Sequence, residues 1–466
     1  MSKLIGLCTI FTLIYGEAVF ASTQLINAVE SNDIKKVESL INDGADINYR
    51  DADKFTPLMH ASRRGYKKIV DLLLKKKVKV DAVDAKNRTA LMHAAMSPSG
   101  WNVIELLLNN KSDPNNQDID GKTALIHAVE QGNLKAVEKL SSLSLLKTMF
   151  GKTNKANRDL RDNKGWTALM YAVYLGRKDI ANRLLWDGAD ADKVNEQDQT
   201  ALEIAVDQER NAFVQLLLSQ RYWAKANRQN KQGQTVLMKA VEKESTDVVK
   251  TLITKKYYKE GTGNNSHLVL DRDRTADPNI EDLNRKTALM IAVEKGNLKI
   301  VTELVKSGAD PDIQDKNRKT ILRLAVEKGN LEIIKELVNY SKNLNCKDYN
   351  GQTALMLAVS KGNVNLVNLL IEKGADVNAR DNNDKTALMF AASSGKEDIV
   401  RSLLEKKKKK SAIKKMVSKI TRKKEEGIDI NAKDKDGKTA LDYAKEAGHT
   451  EVVEMLKVAA EVKKKK

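Results

Sequence analysis

Cysteine is nearly absent from this chain: 466 residues contain two. Cys8 lies in a short apolar stretch at the N-terminus, so beyond that stretch only Cys346 remains and no intrachain disulfide can form. The frame Asn345-Cys346-Lys347-Asp348 matches Asn378-Ala379-Arg380-Asp381 and Asn431-Ala432-Lys433-Asp434. Cys346 therefore fills an alanine slot and is read as a small packed residue, not a reactive thiol. Aromatic residues make up 5% of the chain, which fits helices that pack through Leu, Ile, Val and Ala. Long apolar runs are missing as well. The N-terminal run, Leu4 to Tyr15, is well short of the roughly 20 residues that span a bilayer.

Catalytic constellations are also lacking. Gly121-Lys122-Thr123 and Gly437-Lys438-Thr439 imitate the end of a phosphate loop, but the first glycine of that motif is Asn116 or Ala432. Asn116 to Gly121 imitates a calcium loop whose twelfth position is His127 instead of Glu. His60, His93 and His127 take one slot in three successive repeats. Stacked helices lie roughly 8 to 10 Å apart, and imidazoles sharing a metal must converge on bonds of about 2 Å. The slot is Ile204, Ile291, Leu324 and Phe390 elsewhere, so packing is its expected role. The chain is read as no enzyme, with no cofactor and no metal.

What is present is a repeat. A phrase of the form Thr-x-Leu-x-x-Ala begins at Thr23, Thr56, Thr89, Thr123, Thr167, Thr200, Thr235, Thr287, Thr320, Thr353, Thr386 and Thr439, twelve copies in all. Most intervals are 33 to 35 residues, and three are widened by insertions. Such a period predicts a stack of units that cannot bury their apolar faces alone.

Within a copy, Thr is placed to cap a helix, and Leu and Ala three apart share one face of it. Glycine follows nine residues after Thr in eight copies, at Gly65, Gly132, Gly176, Gly296, Gly329, Gly362, Gly395 and Gly448, where it suits a left-handed helix end. A second amphipathic helix comes next, as in Val70 to Leu74. It closes with Gly-Ala-Asp at Gly44, Gly188, Gly308 and Gly374. Five residues before each later Thr stands Asp or Asn, able to fold onto backbone amides and set a tight turn.

This pattern closely resembles the ankyrin repeat over essentially all of residues 22 to 460. The resemblance implies an all-α ankyrin-repeat solenoid of about twelve helix-turn-helix units with hairpin-like turns. It also implies protein binding through turn tips and the concave face of the first helices. Two departures stand out. Proline after Thr is kept only at Pro57, and the histidine that the family places after Leu is replaced by residues such as Met59, Met92, Met170 and Met389. That loses a polar link between repeats and leaves more of the rigidity to packing. In copies six and seven, Asn195 and Asn230 replace Asp and Glu209 and Glu244 replace the glycine, so this pair is expected to be the weakest part of the stack.

Specificity is expected from the slots that vary. The residue just before Thr is Phe55, Arg88, Lys122, Trp166, Gln199, Gln234, Lys286, Lys319, Gln352, Lys385 or Lys438. Six of these eleven are basic and two aromatic, which points to a partly acidic protein partner with Phe55 and Trp166 as anchors. Tyr171 and Trp186 fall at helix positions that are apolar in other copies, so packing is expected of them. The chain is expected to be a monomer.

Three segments lie outside the repeat frame. Lys3, the apolar run and Val19-Phe20-Ala21 read as a signal segment, 1–21, cleaved after Ala21, which predicts export to a periplasm or beyond; an uncleaved anchor is the alternative. Residues 22–254 then hold copies one to seven, 255–279 an insertion loop, 280–460 copies eight to twelve, and 461–466 a lysine tail. The last insertion, 406–426, carries Lys406, Lys407, Lys408, Lys409, Lys410, Lys414, Lys415, Lys419, Arg422, Lys423 and Lys424 against two glutamates, half of the chain's formal +18. Ile413, Met416, Val417 and Ile420 make it a basic amphipathic helix. Its two readings are a contact with an anionic membrane, polymer or nucleic acid, and a solvated helix that lays its apolar stripe on the stack. Nucleic acid is not the expected partner.

Overall fold

The computed structural model describes residues 19–141, 156–219, 222, 224–260, 267–405 and 427–464. The expectations for the leader at 1–18, the basic segment 406–426 with its eleven cations, and the final two lysines lie outside the described residues. The chain divides into two compact bodies, 1–225 and 226–466, each built by the same local rules.

Those rules start at the turn. In every copy from the second onward the Thr side chain accepts the amide three residues on, as from Met59 to Thr56 at 3.3 Å and from Met290 to Thr287 at 3.4 Å. The position of the lost family histidine closes the cap from the other side. Glu203 and Asp442 carboxylates accept the Thr200 and Thr439 amides at 2.7 and 2.9 Å, and the Met59 and Met389 sulfurs receive those of Thr56 and Thr386 at 3.4 Å. In these copies the position thus serves the cap of its own helix.

Copy one departs. Residues 19–30 form one continuous helix, and Thr23 lies inside it with its hydroxyl donating to the Val19 carbonyl at 2.9 Å. The expected cap is absent there because no Asp-led turn precedes Thr23 to break the helix.

In the first body, first helices such as Pro57–Arg64, Ala90–Met96, Ala124–Glu130, Ala168–Tyr174 and Ala201–Asp207 pack side by side in one layer. Second helices such as Lys67–Lys75, Trp101–Asn109, Leu134–Ser141 and Lys178–Trp186 form the other. The second body repeats the arrangement, from Val236–Glu242 and Thr246–Ile253 to Ala440–Glu446 and Thr450–Lys464. The core runs between the layers. The motif alanine is at most 1% exposed in all twelve copies, so no larger side chain fits where neighbouring helices meet. The motif leucine is at most 3% exposed in copies one to eleven, and Leu441 in copy twelve is half-buried.

Turns are joined along each body by main-chain hydrogen bonds. The amides of Ile119, Asn163 and Glu196 donate to the carbonyls of Lys86, Asp120 and Lys164, and those of Lys316 and Lys435 to Asn284 and Asn383. From the second copy onward the residue two before Thr is left-handed, whether glycine, as at Gly121 (φ 77°), or not, as at Asp384 (φ 61°). Glu209 (φ 52°) and Glu244 (φ 56°) adopt the left-handed conformation that other copies give to glycine.

Within 255–279 the chain forms an antiparallel pair of strands, Tyr257–Glu260 and His267–Leu270, with Tyr257 opposite Leu270. Its root is polar and buried: Asp271 pairs with Arg274, and the Lys256 ammonium donates to the Thr251 and Thr254 carbonyls at 3.0 and 3.2 Å. Burial, then the nearby Arg274, lower the Lys256 pKa to about 8.

Candidate partner-binding surface

The variable slot before Thr is positioned by the Asp five residues before Thr. One carboxylate oxygen of Asp162 accepts the amides of Lys164 and Trp166 at 2.9 and 2.8 Å, and Asp282 and Asp315 treat their copies alike. The main chain at the slot is thereby pinned, and its side chain lies along the first helix.

The other oxygen of that carboxylate is taken by the side chain four residues after Thr wherever it can donate. His60 reaches Asp51 at 2.9 Å, His93 reaches Asp84 at 2.9 Å and His127 reaches Asp118 at 2.8 Å. Tyr171 and Tyr443 bring their hydroxyls to 2.6 Å from Asp162 and Asp434. The three histidines are therefore turn clamps more than packing groups, and Tyr171 does more than fill space. Among the described residues no group of His, Cys, Asp and Glu could hold a metal.

Local titration follows from these contacts. Burial, against the opposing pull of Asp84, lowers the His93 pKa to about 4, with Arg88 and Arg63 adding to the effect. Burial first, then the Asp162 hydrogen bond, raise the Tyr171 phenol well above its ordinary range. Burial works to raise Glu130, yet His127 and Lys122 hold it below the usual carboxylate value.

The side chain before Thr meets a specific neighbour eight residues on, at the end of the first helix. Lys122 pairs with Glu130 at 2.5 Å, Lys286 with Glu294 at 2.7 Å, Lys319 with Glu327 at 3.0 Å and Lys438 with Glu446 at 2.8 Å. Gln199 and Gln234 donate to Asp207 and Glu242 at 2.7 and 3.1 Å while accepting from Asn195 and Asn230 at 3.2 and 3.5 Å. The Asn and Gln departures of copies six and seven are thus a matched set. Trp166 meets Tyr174 edge-on with centroids 5.4 Å apart, and Tyr171 at 5.1 Å.

Two of the basic residues differ. Arg88 points to Asp118 of the next copy at 3.5 Å, and Lys385 lies over the Tyr443 ring, 4.9 Å from its centroid. Phe55 is packed between His60 and His93, at 5.2 and 4.5 Å between ring centroids. Copy five presents the aromatic patch of the first body: half-buried Trp166 and Tyr171, with Tyr174 45% and Leu175 39% exposed beside them. Trp186 is not packed away as expected; it is 54% exposed on the second helix. Cys346 is half-buried, and burial, followed by Asp312 and Asp310, raises its thiol pKa, which fits the inert residue expected there.

The acids eight residues on were missed because helical spacing pairs residues three or four apart. The slot before Thr lies outside the helix, so its reach depends on the turn. The signal was nonetheless present, as Lys and Glu recurring eight apart in four copies.

A family model described as ankyrin repeats (3 copies) matches residues 25–118, 99–195, 182–262, 261–348, 322–415 and 382–466. Serine/threonine-protein kinase 12 of Arabidopsis thaliana is 37% identical over 79 residues, 17% of this chain and 17% of that protein. Inversin of Mus musculus is 43% identical over 68 residues, 15% of this chain and 6% of that protein. The chain therefore spans only a small part of these relatives. Among solved structures, the ankyrin repeat domain of Bcl-3 matches with a TM-score of 0.44 and 28% identity over 52% of this chain and 99% of that domain.

Proposed function

This chain belongs to the ankyrin-repeat family, whose repeats are generally protein-protein interaction modules, and from that premise we propose that it is a non-catalytic binding protein. A protein partner is held on the first-helix side, along the row of residues before Thr. One observation carries the reading. In copies two to eleven the buried Thr, Leu and Ala are committed to the stack, while the slot before Thr varies in chemistry yet has its main chain pinned by Asp or Asn. A surface ordered in advance loses little entropy on association. Copy five supplies the aromatic anchor, since Trp166, Tyr171 and Tyr174 offer the residue types that dominate binding hot spots.

A photo-cross-linking residue placed at 174 of the full chain, with one at 186 as control, tests this in cells. Specific adducts from 174 and none from 186 support the reading. Adducts only from 186 place binding on the second-helix layer.

We further propose export through segment 1–21, on the strength of its sequence, and contact of segment 406–426 with an anionic membrane or polymer, on the strength of its charge. Fractionation of the full chain beside a variant lacking 2–21 tests the first. Retention on anionic liposomes or heparin that disappears on deletion of 406–426 supports the second, and unchanged retention contradicts it.

A further inference from the structure

The compensated row has a gap. In copies eight, nine and twelve the lysine before Thr meets a glutamate eight residues on: Glu294, Glu327 and Glu446. In copies ten and eleven that position is Ser360 and Ser393, both exposed. In copy ten the residue before Thr is the uncharged Gln352, but in copy eleven it is Lys385. Among the described residues of the second body, Lys385 is the lysine before Thr that has no ion pair with a carboxylate.

Its ammonium is nevertheless held in place. It sits 4.9 Å from the Tyr443 ring centroid, with Lys438 at 5.7 Å from the same ring. Asp434 and Asp381 act on this ammonium through space, yet neither forms an ion pair with it, and the hydrogen bonds of the nearby acids go to other groups. Asp381 is 8% exposed and takes the amides of Asn383 and Lys385, Asp434 is 6% exposed and takes the Tyr443 hydroxyl, and Glu446 is paired with Lys438. Around the two serines the helix ends carry Lys361 and Lys396, the latter donating to the Ser360 carbonyl at 2.7 Å, and His449 lies 3.3 Å from the Ser393 carbonyl. A cation held over an aromatic ring, in a copy whose acid position is serine and whose helix end adds Lys396, favours a negative ligand.

We propose that Lys385, eight residues before exposed Ser393, is the docking point for an Asp or Glu side chain of an acidic protein segment. The segment's carboxylate completes the ion pair that copies eight, nine and twelve make within themselves. This rests on the reading of the first-helix side as the binding face and locates the acidic part of the partner at copies ten to twelve.

The test is selection of a random displayed peptide library on the full chain, followed by affinity measurement of the enriched peptides on variants. The expected result is enrichment of an Asp or Glu whose peptide loses about three- to tenfold in affinity on both Lys385→Ala and Ser393→Glu. Ser393→Glu supplies the missing acid internally and so occupies the lysine without removing it. Lys385→Arg retains binding, and Lys286→Ala, whose lysine is already paired, changes it less than twofold. Peptides that lose affinity on Trp166→Ala but not on Ser393→Glu or Lys385→Ala overturn the assignment of Lys385 and leave the binding face standing. Enriched peptides indifferent to all of these variants, or no enrichment, overturn both.

Discussion

The Lys286 ammonium lies 2.7 Å from the Glu294 carboxylate, eight residues further along the chain and at the far end of the same first helix. This pairing, repeated by Lys122, Lys319 and Lys438, makes a row that looks cationic in sequence largely self-neutralising in the folded protein. Along the proposed binding face the distinctive positions are consequently local: a lysine without its acid at copy eleven, and an aromatic patch at copy five.

Acid is expected to weaken the first body through His93, which is 3% exposed. Its folded pKa of about 4 lies below the ordinary 6.5, so between those values the unfolded chain binds the proton and the folded chain does not. Stability is full above pH 6.5 and falls as pH drops toward 4, by up to about 3 kcal/mol from this group. Urea titrations at pH 7 and pH 5 on wild type and His93→Gln check it. The variant shows a smaller difference between the two pH values, and equal differences contradict the assignment.

Glu209→Gly is expected to stabilise the protein by about 0.5 to 1 kcal/mol despite adding a glycine, because residue 209 is left-handed at φ 52°. Chemical denaturation reads the change. A loss of stability shows that the Glu209 side chain contributes more than its backbone strain removes.

Asp162→Ala removes the acceptor of two turn amides and of the Tyr171 hydroxyl at once. The expected loss is about 2 to 3 kcal/mol, against about 1 kcal/mol for Tyr171→Phe, which leaves the turn amides satisfied. Similar losses for the two variants, measured by denaturation, contradict a turn-setting role for Asp162.

Ala172→Leu is expected to cost about 1 to 3 kcal/mol, since Ala172 is 0% exposed where first helices meet. An unchanged unfolding midpoint contradicts close packing at that position.

The scaffold was legible in sequence because its causes are local. A Thr hydroxyl caps the helix it begins, an Asp carboxylate sets the turn it begins, and Leu and Ala three apart fall on one face. The binding face was only half legible. The slot before Thr could be picked out because it varies, but whether Lys286 was a free charge depended on Glu294, and whether Phe55 was an open anchor depended on His93 in the next copy. Thr23 was misread for a related reason: its phrase matches, but no Asp-led turn stands before it to stop the helix over 19–30.

Which layer the partner meets is decided by the affinity of the cross-linked partner for Trp166→Ala and Trp186→Ala, measured side by side on the full chain. Trp166 is the proposed aromatic anchor of the first-helix side and Trp186 an exposed tryptophan on the second helix of the same copy. Loss of about tenfold or more on Trp166→Ala with little change on Trp186→Ala is the predicted result. Equal losses, or a loss confined to Trp186→Ala, contradict it.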